Sequence, residues 1–360
     1  MKILIAGDLV PTESTAAYYA KGDIDRLFGK VKDLVKGHDR FIVNLECALT
    51  DSTNAIKKFG PNFKGPKEAA KTMKALGITD VALANNHVFD FGIEGLRDTV
   101  AALEGAGLPY FGIGENDTDS RRPYFMEIEG KTVAVINVCE HEYSYALPNR
   151  MGANPYDPYL TMQDIRAAKA RADFLIVLYH GGKEYCGYPS PRLRNLCREM
   201  VYCGADVVLT QHSHCIGCYE EFEGGHILYG QGNFNFSWEC VSRECWYTAL
   251  LVTLNITDKV GIEFTPICDN GHGCDVAEGE RADKIMAEFS ARNAELADGR
   301  WLDGWERFCH SDIMDKYVDT ARGRIDIPER EEYFSHMLDC EAHTDVWRAL
   351  FKTWNHTNEL

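Results

Sequence analysis

Short apolar runs alternate with helically spaced apolar positions along most of the chain, which predicts a succession of strands and helices. Residues 3–6 form an apolar run that ends at Gly7-Asp8, and residues 23–36 then carry apolar side chains at helical spacing. The same reasoning predicts strands at residues 41–43, 81–83, 110–113, 124–129, 132–139, 172–179 and 207–209, and helices at residues 67–76, 93–103 and 191–203.

This pattern changes towards the C-terminus. Strands are predicted at residues 226–229, 247–255 and 262–267 with little helix between them, followed by charged helical patterns at residues 280–298, 301–320 and 328–354. Alternation that becomes rich in strands predicts an α/β fold with a mixed sheet or two packed sheets. We therefore predict a main domain at residues 1–274 and a helical C-terminal extension at residues 275–360.

Composition narrows the classes of partner. The 360 residues are 45% hydrophobic, which is enough for a sizeable core, and the formal net charge is −17. Such a charge argues against nucleic acid, and against an anionic membrane surface, held by general electrostatics. An anionic substrate would need a local positive centre, and bound metal ions often supply the largest local charge of a site.

The cellular compartment is also an expectation from the sequence. The first residues lack the pattern of a secretion signal, and no stretch approaches the 18 apolar residues of a transmembrane helix. We therefore expect a cytoplasmic protein with no membrane segment, whose 13 cysteines are reduced thiols. Cys215 and Cys218 have zinc-like spacing, but no second pair of this spacing accompanies them, so we interpret them as structural or incidental thiols.

The informative residues stand where predicted strands end. Taken singly, each has an ordinary interpretation as a turn residue, a helix cap, a solvated carboxylate or a loop histidine. Taken together, they are the residue types that bind divalent transition metals, placed where ligands bind in α/β sheets. The strand ends in question deliver Asp8, Glu46, Asn86-His87, His180 and His212-Ser213-His214.

Five segments resemble one known family. The chain resembles the CapA branch, the poly-gamma-glutamate (capsule) synthesis proteins, of the calcineurin-like metallophosphoesterase superfamily over roughly residues 1–268. The Ala-Asn-Asn-His segment and the final Gly-Asn-Phe are quite specific to that branch. The resemblance is carried by Asn44-Leu45-Glu46, Ala84-Asn85-Asn86-His87 with Asp90 and Gly92, His180-Gly181-Gly182 with Glu184-Tyr185, His212 with His214, and Tyr229-Gly230-Gln231-Gly232-Asn233-Phe234.

The resemblance implies a fold and a metal centre. The fold would be a sandwich of two mixed β-sheets flanked by helices, with two divalent transition metal ions (Mn, Fe or Zn) at the strand ends. Such ions would activate a water molecule for hydrolysis. By motif, Asp8 and His214 would bind one ion, Asn86, His180 and His212 the other, and Glu46 would bridge the two.

The same resemblance implies the catalytic residues, and the sequence departs from the wider pattern at two places. His87 would be the general acid or transition-state stabiliser, oriented by Asp90. The wider superfamily has a histidine two residues after the first aspartate, where this chain has Val10, so the first metal position lacks a ligand. The bridging residue is Glu46 where the wider superfamily has aspartate.

Three functions follow as hypotheses. The leading one is a metal-dependent hydrolase of the phosphoesterase type, linked to capsule or polyglutamate metabolism, that acts on an anionic small-molecule or polymer substrate. The second is metal-dependent amide or γ-glutamyl polymer chemistry in poly-gamma-glutamate biosynthesis. The third is a non-catalytic metal-binding subunit of an assembly. Candidate substrate-binding residues are Lys64, His141, Lys183 and Glu184, with Arg243 as a further cation.

Overall fold

Two β-sheets packed face to face form the centre of the computed structural model, which describes residues 1–140 and 143–351. The strands are β1 (Lys2–Leu9), β2 (Arg40–Leu45), β3 (Ala48–Leu49), β4 (Lys64–Gly65), β5 (Asp80–Ala82), β6 (Tyr110–Phe111), β7 (Ile113–Gly114), β8 (Tyr124–Ile128), β9 (Lys131–Cys139), β10 (Gly152–Ala153), β11 (Phe174–His180), β12 (Val207–Gln211), β13 (Ile216–Phe222), β14 (Gly225–Gln231), β15 (Asn233–Asn235), β16 (Thr248–Ile256), β17 (Val260–Asp269) and β18 (Cys274–Val276).

Helices cover the outer faces of the sheets and make up the C-terminal part of the chain. They are α1 (Ala16–Lys21), α2 (Ile24–Phe28), α3 (Val31–Leu34), α4 (Ala69–Leu76), α5 (Gly92–Gly105), α6 (Asp117–Ser120), α7 (Leu160–Lys169), α8 (Pro191–Tyr202), α9 (Gly279–Asp298), α10 (Trp301–Cys309), α11 (Met314–Ala321), α12 (Arg330–Asp339) and α13 (Glu341–Leu350), with a 3₁₀ helix at Glu244–Tyr247.

Both sheets are mixed, and each has a parallel centre. The first sheet has the order β18-β17-β16-β1-β2-β5-β6, in which β1, β2, β5 and β6 are parallel and β16 to β18 are antiparallel. The second has the order β13-β14-β12-β11-β9-β8, with antiparallel strands only at its edges. Parallel neighbours end at the same sheet edge, so residues that follow them are brought together.

The alternation of side chains along the strands explains why the sheets pack. In β1, Ile3 and Ile5 belong to the apolar cluster between the two sheets, whereas Leu4 and Ala6 belong to the cluster under helices α1 to α5. Successive strand residues point to opposite faces, so a strand that is apolar throughout is buried on both sides. The predicted fold class, a sandwich of two mixed sheets flanked by helices with a C-terminal helical region, is confirmed.

Several elements differ from the prediction for local reasons. The helix predicted at residues 23–36 is two helices, because Gly29 adopts φ 42° and a Cβ there would lie 2.3 Å from the carboxyl carbon of Asp275. The pattern at residues 301–320 is likewise divided into α10 and α11, and extended backbone at Cys340 separates α12 from α13. Helix α7 and strand β13 were not predicted. No helix in residues 1–140 and 143–351 is long and apolar enough to cross a membrane.

We use the name cap for helices α10 to α13, residues 301–350. Its own apolar cluster includes Trp305, Tyr317, Tyr333 and Met337. An ion pair to a buried carboxylate fixes the cap to helix α8, because the Nε of Arg192 donates to Asp345 at 2.9 Å. The hydroxyl of Ser190 donates to the same carboxylate at 2.6 Å.

Arg192 extends this anchor to the second sheet. Its guanidinium group also pairs with Glu140, which follows strand β9. Glu140 accepts hydrogen bonds from the backbone N–H of Gly182 and the hydroxyl of Tyr179, both at 2.8 Å. The position of the cap is therefore tied to the backbone that immediately follows strand β11.

Replacing Asp345 should loosen the cap. We expect Asp345→Ala to lower the free energy of unfolding by about 1.5–3 kcal/mol, since hydrogen bonds to a buried charged group are lost. Urea denaturation measures this loss, and Glu331→Ala, at an exposed carboxylate of the same cap, serves as the control. Equal stability of the two variants would contradict the role of Asp345 as an anchor.

Candidate metal centre

Six side chains meet where parallel strands of the two sheets end. Strands β1 and β2 of the first sheet lead to Asp8 and Glu46, and the turn after β5 carries Asn86. Strand β11 of the second sheet ends at His180, and β12 leads to His212 and His214. All six side chains are buried, with exposed fractions from 0% for Asp8 and Glu46 to 9% for Asn86.

Glu46 belongs to both groups of candidate ligands. Glu46, His180 and His212 bring one ligand atom each within 4.8 Å of one another, and Asp8, Glu46 and His214 do the same. The Nε2 of His180 also lies 2.8 Å from the Oδ1 of Asn86, which adds an amide oxygen to the first of these groups. One carboxylate therefore connects two groups of potential ligands, which is the arrangement that the family resemblance implies.

Unusual backbone conformations allow the two histidines after β12 to face the same site. His212 and His214 have φ values of 82° and 52°, in the left-handed region that side-chain-bearing residues rarely adopt. Such conformations cost of order 1–3 kcal/mol each and cluster at functional sites. The ring centroids of His212 and His214 are 5.7 Å apart. In a regular strand, residues two apart point to the same face, so the turn is what sends one ring to each ligand group.

Amide side chains hold the ligands in place. The amide nitrogen of Asn44 donates to Asp8 at 2.7 Å and lies 3.2 Å from the Nδ1 of His180. The Oδ1 of Asn233 lies 2.9 Å from the Nδ1 of His214. For His180, whose Nε2 faces Glu46, Asn44 contacts the second ring nitrogen, and such contacts fix the orientation of a ligating imidazole. Both asparagines belong to the family motifs, but sequence alone assigned neither of them this positioning role.

Burial and crowding of charge shift the ionisation of these groups. Burial raises the pKa of Glu46 well above its usual range, and the neighbouring charge of Asp8 adds to the effect. Burial alone would also raise the pKa of Asp8, but the hydrogen bond with His214 and the charge of His180 hold it well below its usual range. Burial opposes protonation of His214, yet Glu46 and Asp8 raise its pKa to about 9.

The donor set fits divalent transition metals. The two carboxylate oxygens of Glu46 are buried and make no hydrogen bond within the described ranges, and His180 and His214 approach them at 3.2 and 4.0 Å. Imidazole and carboxylate together suit zinc, iron and manganese. The group of Asp8, Glu46 and His214 has one ligand fewer than the other group, since Leu9 and Val10 lie in the apolar core.

A second cluster stands beside the ligands. The Nδ1 of His87 lies 2.6 Å from the Oδ2 of Asp90, which is the pairing expected for an oriented histidine. Burial and the charge of Lys58 lower the pKa of His87 to about 4.

Lys58 is a site residue that the sequence did not reveal. Its side chain is only 3% exposed, and its ammonium group forms an ion pair with Asp90 and lies 3.1 Å from the Nδ1 of His87. Buried lysines are rare unless they are paired. The sequence offers no signal that separates this lysine from the neighbouring Lys57, which is 82% exposed.

A small chamber opens over Asn86, His87 and His212. We call it the inner chamber; its volume is about 80 Å³. The candidates Lys183 and Glu184 line it, whereas Lys64 does not, because its ammonium group donates to the backbone carbonyl of Ser52 at 2.7 Å. His141 lies outside the described residues. The inner chamber is lined by Lys58, Phe59, Gly60, Pro61, Asn86, His87, Tyr143, Gly182, Lys183, Glu184, His212, His336, Cys340, Ala342 and His343.

The fold and the ligand geometry define a class: a two-sheet sandwich with a candidate dinuclear metal centre at its strand ends. Comparison with known proteins defines the family. The family model described as bacterial capsule synthesis protein PGA_cap matches residues 2–237, so the chain belongs to that family. The match includes every candidate ligand and ends before helices α9 to α13.

Individual relatives agree with this assignment. The chain is 30% identical over 246 residues to capsule biosynthesis protein CapA of Bacillus anthracis, covering 66% of this chain and 60% of that protein. It is 30% identical over 218 residues to PGA biosynthesis protein CapA of Bacillus subtilis, covering 59% and 57%. The chain thus spans about three fifths of the length of these relatives.

A solved structure similar to this chain is that of a 5'-nucleotidase precursor from Thermus thermophilus. The sequence identity is 13% and the TM-score is 0.44. The similarity covers 81% of this chain and 58% of that one.

Because Glu46 is shared by both ligand groups, variants of different ligands should lose different numbers of metal ions. We expect Glu46→Ala to lose both ions and His212→Ala to lose one of the two, because only Glu46 belongs to both ligand groups. Metal content per protein after loading with Mn²⁺ and gel filtration, measured by plasma mass spectrometry, checks this. His272→Ala, at an exposed histidine far along the chain, is the control. Unchanged metal content in both ligand variants would overturn the assignment.

Proposed function

We propose that the protein is a metal-dependent hydrolase of phosphoesters. The observation that supports this function is the Glu46 carboxylate shared between two ligand groups, together with His87, which pairs with Asp90 and lines the inner chamber beside the ligands Asn86 and His212. Two divalent ions held there would activate water at neutral pH and stabilise charge on both the attacking and leaving oxygens. Asp8, Glu46, Asn86, His180, His212 and His214 are the residues that would hold them.

The remaining polar groups of the inner chamber have separate tasks. Asp90 fixes the His87 ring through the Nδ1 atom, so that the Nε2 atom is left for the substrate or the leaving group. A positioned histidine that transfers a proton to or from a reacting group typically contributes about 10²–10⁴-fold to the rate. Lys58 places a fixed positive charge beside this histidine, where it stabilises an anionic substrate group.

The positive side chains of the inner chamber suit an anionic substrate group, although the net charge of the whole chain is −17. Lys58 and Lys183 line the inner chamber and are 3% and 10% exposed. The Glu184 carboxylate lies 3.7 Å from Lys183 and is 39% exposed, so it balances part of this charge at the boundary of the chamber. The inner chamber also leaves room for a substrate group beside the ligands, which favours catalysis over a purely structural metal site.

A substrate panel tests the proposal directly. Purified protein loaded with Mn²⁺, Fe²⁺ or Zn²⁺ should release phosphate from at least some phosphomonoesters or diesters, and chelation should abolish the release. Glu46→Ala is the matched inactive control, because it removes the shared ligand. If the metal-loaded protein hydrolyses none of these phosphoesters, the proposed hydrolase function is wrong.

Replacement of His87 should separate turnover from metal binding. We expect His87→Asn to keep the metal content and to lower kcat by about 10²–10⁴-fold, since the residue acts on the proton and not on the ions. Steady-state kinetics together with metal analysis measure both quantities. Loss of metal in this variant would make His87 a ligand instead.

Replacement of Lys58 should act through charge. We expect Lys58→Met to lower kcat/KM by about 10-fold or more, and Lys58→Arg to restore part of the loss, because a hydrogen bond to a charged group contributes about 1.5–3 kcal/mol. Lys57→Met, at the exposed neighbour, is the control. A Lys58→Met enzyme with wild-type kinetics would remove this residue from the proposed site.

Family membership favours a second candidate, the cleavage or transfer of a γ-glutamyl amide. The relatives are named for capsule or PGA biosynthesis, and two ions that polarise a carbonyl oxygen could serve amide chemistry. Incubation of the metal-loaded protein with polyglutamate and γ-glutamyl peptides, followed by mass spectrometry, separates the candidates. Shortened or transferred chains without phosphatase activity would favour this second function, and unchanged peptides would exclude it.

A further inference from the structure

A second, larger cavity lies against the inner chamber, between the cap and the sandwich. We call it the outer cavity; its volume is about 660 Å³, against about 80 Å³ for the inner chamber. The two cavities share a wall, and the same side chains therefore face both of them. The shared wall consists of Phe59, Lys183, Glu184, His336 and His343.

The outer cavity differs from the inner chamber in chemistry. Much of its lining is apolar or aromatic, and most of these side chains come from the cap, with Val241 from the loop between β15 and the 3₁₀ helix. Of the two cations on its lining away from the shared wall, Arg243 is paired with Asp312 at 2.6 Å and Lys316 is exposed. The apolar and aromatic part of the lining includes Val241, Ile313, Tyr317, Ile325, Ile327 and Tyr333.

The difference in size restricts what each cavity can hold. A cavity needs about 10–15 Å³ of probe-occupied volume for one water molecule, so the inner chamber holds a few waters or one small oxyanion. It has no room for a ring system in addition. The outer cavity falls within the range of about 300–1,000 Å³ that is typical of small-molecule sites.

We propose that the two cavities form one substrate site for a phosphomonoester whose alcohol part carries an apolar ring system. The phosphate group occupies the inner chamber beside the metal ligands, and the ring occupies the outer cavity among the isoleucines and tyrosines. This inference rests on the proposed phosphoesterase function and adds to it the class of substrate.

The outer cavity is built by packed elements of the cap. Phe59, on the loop that carries Lys58, packs against Tyr333 with ring centroids 4.4 Å apart. The hydroxyl of Tyr317 lies 2.6 Å from the Nδ1 of His343 on the shared wall. Aromatic side chains held in this way offer faces and edges to a planar ligand. Apart from the shared wall and Tyr185, its lining begins at Cys240, beyond residues 2–237, so we assign substrate choice to a part of the chain that the family model does not reach.

Non-hydrolysable phosphonates test the inference without turnover. Calorimetric titration of the Mn²⁺-loaded protein with methyl-, benzyl- and naphthylmethylphosphonate should show affinity that rises by about tenfold or more from methyl to benzyl, and again to naphthylmethyl, because the ring leaves water. Ile327→Asp should bring the benzyl-to-methyl affinity ratio towards one. Leu338→Asp adds the same charge to the same cap at a residue that is 57% exposed and lines neither cavity, so it should leave the ratio unchanged.

The outcomes separate the inference from the function on which it rests. Phosphonates that bind with equal affinity, or a ratio that survives Ile327→Asp, would overturn the ring-binding cavity and leave the hydrolase intact. No binding of any phosphonate to protein that carries both ions would overturn the phosphomonoester site, and the substrate panel then decides the hydrolase separately. Ile327→Trp, which fills the outer cavity with an apolar ring, gives the same test if the charged variant does not fold, as judged by circular dichroism and metal content.

Discussion

The buried carboxylate of Glu46 is the constraint on which the rest of the structure depends. Removing a carboxylate from water is costly unless opposite charge is supplied nearby, and burial keeps the pKa of Glu46 well above its usual range. The histidines of the opposite sheet supply counter-charge, whereas Asp8, on the adjacent strand, is also acidic. The two sheets must therefore pack so that β2 ends opposite β11 and β12, which bring His180 and His212 to this carboxylate.

The C-terminal helices belong to the site as much as to the framework. The anchor through Arg192 and Asp345 holds the cap over the strand ends. On the other side, Phe59 packs against the cap while its neighbour Lys58 reaches the His87–Asp90 pair. One short loop thus contacts both the cap and the polar side chains beside the candidate ligands.

The sequence predicts the centre of this molecule well and its periphery poorly. Strand ends and ligand types can be read locally, and Glu46, His180 and His212, each placed at a strand end from the sequence, lie close together. Features that depend on contacts between residues distant in sequence cannot be predicted from the local pattern. Gly29 interrupts a helical pattern because Asp275 packs against it. Lys58 is the buried lysine beside His87, whereas Lys64, one of the candidate cations from the sequence, binds a backbone carbonyl.

On the proposed function, the nested cavities would hold the two products apart. A phosphomonoester bound across the shared wall would leave its alcohol in the outer cavity and inorganic phosphate in the inner chamber. That phosphate would lie where the phosphate group of the next substrate molecule has to bind, so the inorganic product would compete with the substrate.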